Sequence, residues 1–296
     1  MAEHVTEHNS KIDELTGTST TGHEWDGVRE LNNPLPRWWL WTFYATIVWA
    51  VGYWIVYPSW PLVSSYTQGL TGWHSRQDVA DELAALKVTR GPMVAKLAAT
   101  PLNEIGLDPK LLEFARAQAR PAFAENCAPC HGAGGGGAKG FANLNDDDWI
   151  WGGKLDDIAT TIRHGIRAAD AKSRVGGMPA FGRDGMLKRP ELETVAHFVR
   201  SLSGLPVDPR ANLTTGARIF ADNCAACHGA VGKGNREIGA PNLTDAIWLY
   251  GSDTATIVDG LWNGRNGMMP AWGARLDDST IKALSIYVHT FGGGEK

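Results

Sequence analysis

The pattern of apolar and polar positions divides the chain into a polar opening, one long uncharged run and two similar mixed units. Residues 1–37 are polar and largely acidic, with Lys11, Arg29 and Arg37 as the basic side chains. They predict little fixed structure before Asn33-Pro34-Leu35-Pro36. From Trp38 to Tyr57 there are 20 residues without a charge. A helix of that length spans about 30 Å, the thickness of a bilayer core. Trp38, Trp39 and Trp41 at one end and Tyr53, Trp54, Tyr57 and Trp60 at the other place amphipathic rings at the two membrane interfaces. Pro58 and Pro61 stop the helix. A buried core helix this long would carry polar residues on one face. A signal peptide would have a shorter apolar stretch nearer the start. The expectation is an uncleaved transmembrane anchor over 38–57.

Residues 58–107 read as a connector, with an amphipathic helix from Gln77 to Lys87 that ends near Gly91-Pro92. The rest is an internal repeat. Phe123-Ala-Glu-Asn-Cys-Ala-Pro-Cys-His-Gly matches Phe220-Ala-Asp-Asn-Cys-Ala-Ala-Cys-His-Gly, Asn143-Leu144 and Trp149 match Asn242-Leu243 and Trp248, and Met178-Pro-Ala-Phe-Gly matches Met269-Pro-Ala-Trp-Gly. Each unit closes with an apolar helical pattern, Leu192–Leu202 or Ile281–Phe291. Asp108-Pro109 suits the cap and first position of a helix toward Cys127, and Thr214 or Thr215 starts its counterpart. One more helix is expected near Ile158–His164 and near Thr254–Leu261. No long run alternates with period two, so the chain is expected to be mainly α with almost no sheet. The two units span 108–205 and 210–293.

Composition narrows the chemistry. A net charge of −4 and the lack of a basic block argue against nucleic acid as a partner. All four cysteines lie in the two Cys-x-x-Cys-His motifs, so none is left for a disulfide framework. Two cysteines spaced by two residues can form two thioethers to one porphyrin edge, and the following His can bind the iron. The expectation is two covalent haems c, one on Cys127 and Cys130 with His131, the other on Cys224 and Cys227 with His228. A four-cysteine zinc site or a thioredoxin-like redox pair would leave both histidines without a role.

Met178 and Met269, each before Pro-Ala-aromatic-Gly, are the expected sixth ligands, because a Met thioether opposite His is the cytochrome c arrangement. Pairing within each repeat assigns Met178 to the His131 iron and Met269 to the His228 iron. Met268 aligns with Gly177 and is set aside, and Met93 and Met186 are read as packing residues. His164 is an alternative ligand to Met178. His197 and His289 read as packing or surface residues, and Trp149 and Trp248 as core or haem-pocket packing. His4, His8 and His23 in the N-terminal segment carry no supported metal role. With both irons closed by two protein ligands, no position is open for substrate, so the haems should carry electrons. A dihaem peroxidase would need an exchangeable ligand.

The two haem units resemble class I cytochrome c domains, with Gly216, Phe220 and Tyr287 in the positions of that fold's crossing helices and Ala119 where Gly216 stands in the other repeat. The stretch His23-Glu-Trp-Asp-Gly-Val-Arg-Glu-Leu-Asn-Asn-Pro-Leu-Pro-Arg-Trp-Trp39 resembles the start of the dihaem subunit of cbb3-type cytochrome c oxidases. That resemblance implies an electron-transfer subunit that is not an enzyme by itself. It would take electrons from a soluble or anchored cytochrome c and pass them toward a catalytic haem b/haem–copper subunit, beside a monohaem cytochrome c subunit. It also implies a single pass through the bacterial inner membrane. Residues 1–37 would then be cytoplasmic, and the 58–107 connector and the haem domains periplasmic. The bias of Lys and Arg toward the N-terminal side points the same way. A free-standing membrane-bound dihaem carrier is the other reading.

Overall fold

The computed structural model describes residues 11–295, so His4 and His8 lie outside the described residues. The chain forms two compact units, up to Lys87 and from Val88 onward.

The first unit opens with an antiparallel hairpin, β1 (Thr20–Trp25) and β2 (Val28–Leu31). This corrects the expectation of little fixed structure before Asn33. Trp25 pairs with Val28 around Asp26-Gly27, which have φ of 50° and 83°. Two consecutive left-handed residues are what a tight hairpin turn needs, and Asp-Gly supplies them readily. Helix α1 (Arg37–Val56) follows, displaced by one residue from the expected anchor. It is the one described helix long and apolar enough to cross a membrane, and none of its residues is buried in the fold. Its last carbonyls are satisfied by chain that folds back. Leu70 N donates to Ile55 O (3.1 Å), and Thr71 donates to Val56 O from both its N–H (3.2 Å) and its hydroxyl (2.9 Å).

Helix α2 (Ser75–Ala99) runs through Gly91-Pro92, where the sequence predicts a stop. A proline removes one donor from a helix, but packing downstream outweighs that loss. Leu97 is fully buried, Met93 packs on the same core, and the Arg90 guanidinium lies 5.5 Å above the Phe114 ring.

The second unit contains α3 (Leu102–Ile105), α4 (Pro109–Asn126), α5 (Ala128–His131), α6 (Leu155–His164), α7 (Arg189–Leu202), α8 (Leu213–Asn223), α9 (Ala225–His228), α10 (Thr254–Asn263) and α11 (Asp278–His289). As expected, Asp108 caps α4, accepting from Lys110 N and Leu111 N at 3.0 and 3.2 Å. Helix α8 starts slightly earlier than expected, capped by Asn212, which accepts from Thr215 N at 3.0 Å.

The closing helices do not pack within their own repeats. Helix α11, which closes the second repeat, lies against α4 and α6 of the first, while α7, which closes the first, lies against α8 and α10 of the second. Two lobes result. The first buries Leu111, Phe123 and Ile162 with Ile281, Leu284 and Val288. The second buries Leu192, Val195 and Val199 with Ile219, Phe220 and Leu261. The haem units are tandem in sequence, but each lobe borrows its closing helix from the other repeat. Phe123 meets Tyr287 edge to face with centroids 5.5 Å apart, and Phe198 meets Phe220 at 5.4 Å. Gly216 therefore crosses α7, not α11. A Cβ there would stand 2.7 Å from Phe198 Cβ and 2.8 Å from Thr194 O, so the approach of the two helices requires glycine.

Candidate haem-binding sites

Each Cys-x-x-Cys-His motif forms a single helical turn that continues from the preceding helix. Cys127 N donates to Phe123 O (2.8 Å) and His131 N to Cys127 O (2.9 Å), and Cys224 and His228 repeat both bonds at the same lengths. Residues at i, i+3 and i+4 share one face of a helix. Both cysteines and the histidine of each motif are thereby presented together.

Both histidines are oriented through Nδ1. His131 Nδ1–H donates to Ala142 O at 2.8 Å, and His228 Nδ1–H to Pro241 O at 3.0 Å. A carbonyl only accepts, so the proton must sit on Nδ1 and the Nε2 lone pair is left for a metal. Burial pushes the His228 pKa down, against the opposing effect of its bond to Pro241. That favours the neutral imidazole a metal requires. Neither Ala142 nor Pro241 stands out in the sequence. They occupy matching positions just before Asn143 and Asn242, so the repeat itself carried the signal.

Burial also acts on the first cysteine of each motif. Burial, then the neighbouring Cys130, pushes Cys127 up to about 11, and burial with Cys227 does the same to Cys224. Among the described residues no group of His, Cys, Asp and Glu is placed to hold a metal ion together.

The methionines fall opposite to the assignment made within repeats. Met269 packs on the first core beside Cys127, Ala128, Trp149 and Trp272. Met178 packs on the second beside Ala225, Leu243 and Trp248, against a core that includes Cys224. The cause is a crossing of the chain after α6 and α10. Met178 exchanges two backbone hydrogen bonds of 3.2 Å with Arg265, and Met269 exchanges two of 3.0 Å with Ile166. The crossing carries on into Trp272 N to Ile162 O (3.1 Å) and Arg183 N to Trp262 O (3.1 Å). The structure thus sets Met269 on the core that also carries Cys127, and Met178 on the core that contains Cys224. Met268 is 67% exposed. Met93 packs as expected, whereas Met186 is half exposed.

Of the other candidate aromatic and histidine residues, three have polar partners and two do not. Trp149 donates from its indole to Gly293 O at 2.5 Å. His164 pairs with Asp170 at 3.1 Å and His289 with Glu295 O at 2.8 Å. Trp248 Nε1 and His197 Nδ1 are buried without a protein partner. Trp248 lies against the second core, where an indole N–H with no acceptor fits a haem propionate.

Comparison with known proteins bears on both units. The N-terminal domain of cytochrome oxidase-cbb3, FixP, matches residues 17–64. Cytochrome c oxidase, cbb3-type, subunit III matches residues 115–199 and 211–288. The chain is 59% identical to cbb3-type cytochrome c oxidase subunit FixP of Azorhizobium caulinodans over 97% of this chain and 98% of that one. It is also 59% identical to FixP of Bradyrhizobium diazoefficiens, over 98% and 100%. Subunit CcoP of Cereibacter sphaeroides is 49% identical over 93% and 95%.

Proposed function

Because this chain belongs to the subunit III family of the cbb3-type cytochrome c oxidases, we propose that it takes electrons from a periplasmic cytochrome c and delivers them toward the oxygen-reducing subunit. It is an electron-transfer subunit of that oxidase complex, held at the membrane by α1, and its matched domains are haem c-binding. A haem c supplies a one-electron ferric/ferrous couple. The proposal is that two are held, by Cys127 and Cys130 and by Cys224 and Cys227. The proposed ligand pairs are crossed: His131 with Met269, and His228 with Met178.

The observation that carries this reading is the packing of one His-bearing turn and one Met on each core. Ligation by one His and one Met would favour a higher potential than two histidines, which suits an electron relay, and with both ligands supplied by the protein no position would be left for substrate. Crossing the ligands also binds the two lobes into one body, so that both haems are held in a fixed relation. Residues 11–36 would face the cytoplasm and the haem lobes the periplasm. The expected neighbours in the complex are a haem b/haem–copper catalytic subunit and a monohaem cytochrome c subunit. Mild detergent extraction followed by subunit and haem analysis tests this. The expected result is co-purification with a subunit bearing haem b and copper, at two haems c per copy of this chain. Isolation free of any such partner would overturn it.

A further inference from the structure

The loops that orient the two histidines are braced from the opposite repeat. The His131 loop turns at Ala138 and Phe141, which are joined by Phe141 N to Ala138 O (2.7 Å) and Ala138 N to Phe141 O (3.1 Å), and it delivers the carbonyl of Ala142. The His228 loop turns at Asn235 and Ala240, joined by bonds of 2.8 and 2.9 Å, and delivers the carbonyl of Pro241. Neither loop is enclosed by its own repeat alone. The Trp151 ring lies flush on Gly239, where a Cβ would overlap it, and 3.4 Å from the Cβ position of Gly176. The Tyr250 ring lies 3.3 Å from the Cβ position of Gly140, and Gly140 N donates to Leu249 O at 2.8 Å.

Each brace is itself clamped. Arg174 stands 5.5 Å above the Trp151 ring and is fixed to α6 by bonds to Thr161 Oγ1 (2.8 Å) and Asp157 O (3.2 Å). Arg265 stands 4.3 Å above the Tyr250 ring and is fixed to α10 by a bond to Thr256 O (3.2 Å). A guanidinium over an aromatic face is attractive when partly desolvated, and it limits how far the ring can tilt. The two arrangements are related by the repeat, yet one uses Trp and the other Tyr. The shared feature is the planar ring against glycine.

We infer that Trp151 and Tyr250 are crossed positioning residues: Trp151 holds the loop that orients His228, and Tyr250 holds the loop that orients His131. The physical link is the Nδ1–H bond. Its strength sets how much electron density the imidazole gives to a bound iron, and so contributes to the reduction potential. A loop freed to move weakens that bond on one histidine and leaves the other unchanged. The inference rests on the two-haem reading above, but not on which Met binds which iron.

The test uses the full chain in detergent with both haems attached. Cys127→Ala or Cys224→Ala labels one haem, because a haem with a single thioether absorbs at longer wavelength, or is missing altogether. Trp151→Ala is expected to shift the potential of the Cys224 haem alone. It should also speed solvent exchange of the His228 Nδ1 proton about tenfold in the reduced protein, as expected when a local bond opens more often. Tyr250→Ala should do the same to the Cys127 haem and His131. Trp151→Phe, which keeps a ring on Gly239, should restore values near the wild type. Unchanged potentials and exchange rates, a shift of the haem in the mutated residue's own repeat, or equal shifts of both haems would overturn the inference. Should Trp151→Ala fail to assemble, Tyr250→Ala and Trp151→Phe decide it by the same readouts. A wild-type haem content below two per chain would instead count against the two-haem reading itself.

Discussion

Met269 and Ile166 bond to each other in both directions, N to O at 3.0 Å each way, although they belong to different repeats. Met178 and Arg265 form the reciprocal pair at 3.2 Å. These two short bridges are where the repeats exchange partners. The helix that closes each repeat, α7 or α11, packs in the lobe built by the other repeat.

The exchange predicts which haem each methionine governs. Met269→His should lower the potential of the haem on Cys127 and Cys130, because a second imidazole replaces the thioether that raises it. Met178→His should lower that of the haem on Cys224 and Cys227. Both haems should stay attached, since the thioethers do not depend on the sixth ligand. Spectroelectrochemical titration with one haem marked by a cysteine substitution checks the assignment. A drop confined to the haem of the same repeat would refute the crossing.

The exchange also predicts that neither repeat folds alone. A chain cut at residue 205 keeps α4 and α6 but loses Ile281, Leu284 and Val288, which are 5% exposed or less. Burying each such side chain is worth about 1.5–3 kcal/mol, against a typical net stability of about 5–15 kcal/mol for a whole domain. Residues 88–205 should be expanded and quickly digested by protease. Co-expression with residues 206–296 should restore a compact dihaem product. A stable, haem-loaded 88–205 fragment would sink this prediction.

Much of this was written in local pattern. The anchor was legible because uncharged length is a one-dimensional property. The haem turns were legible because Cys, Cys and His must share one face of a single turn. The hairpin at Asp26-Gly27 was also legible, but was masked by the polarity of the segment around it. The core on which each methionine packs is not legible for a different reason. Met178 and Met269 sit in equivalent settings, so either can serve either core, and sequence similarity carries no information about which copy is used. Trp151 and Tyr250 are not marked by the repeat, because the position they share holds different residues, and their partners are glycines far along the chain.

Two glycines in helices should respond differently to alanine. Gly216→Ala places a methyl against Thr194 O and Phe198 Cβ and should cost about 1–3 kcal/mol, as overpacking does. Gly91 in α2 has nothing within 4 Å of its Cβ position apart from its chain neighbours, but a Cβ just before Pro92 disfavours the helical conformation, which offsets the gain in helix propensity, so Gly91→Ala should change stability by less than about 0.5 kcal/mol. Guanidinium unfolding of the purified protein, followed by circular dichroism, compares them. Equal effects from both substitutions would contradict the close α7–α8 crossing.

Asp148 should make stability depend on pH. Burial, then the charges of Asp245 and Asp146, pushes it up to about 6 from an ordinary value of 3.8, with Arg236 opposing. The folded carboxyl thus holds its proton more tightly than the unfolded one. Between pH 3.8 and about 6 the folded state carries the extra proton, so stability falls as pH rises through that window. Above it the buried charge is a constant penalty, and below it the penalty is absent. Asp148→Asn removes the titration while keeping the shape. Its melting temperature should exceed that of the wild type at pH 7, and the two should converge toward pH 4. A difference that stays the same from pH 4 to pH 7 would show that the carboxylate charge at this position has no part in it.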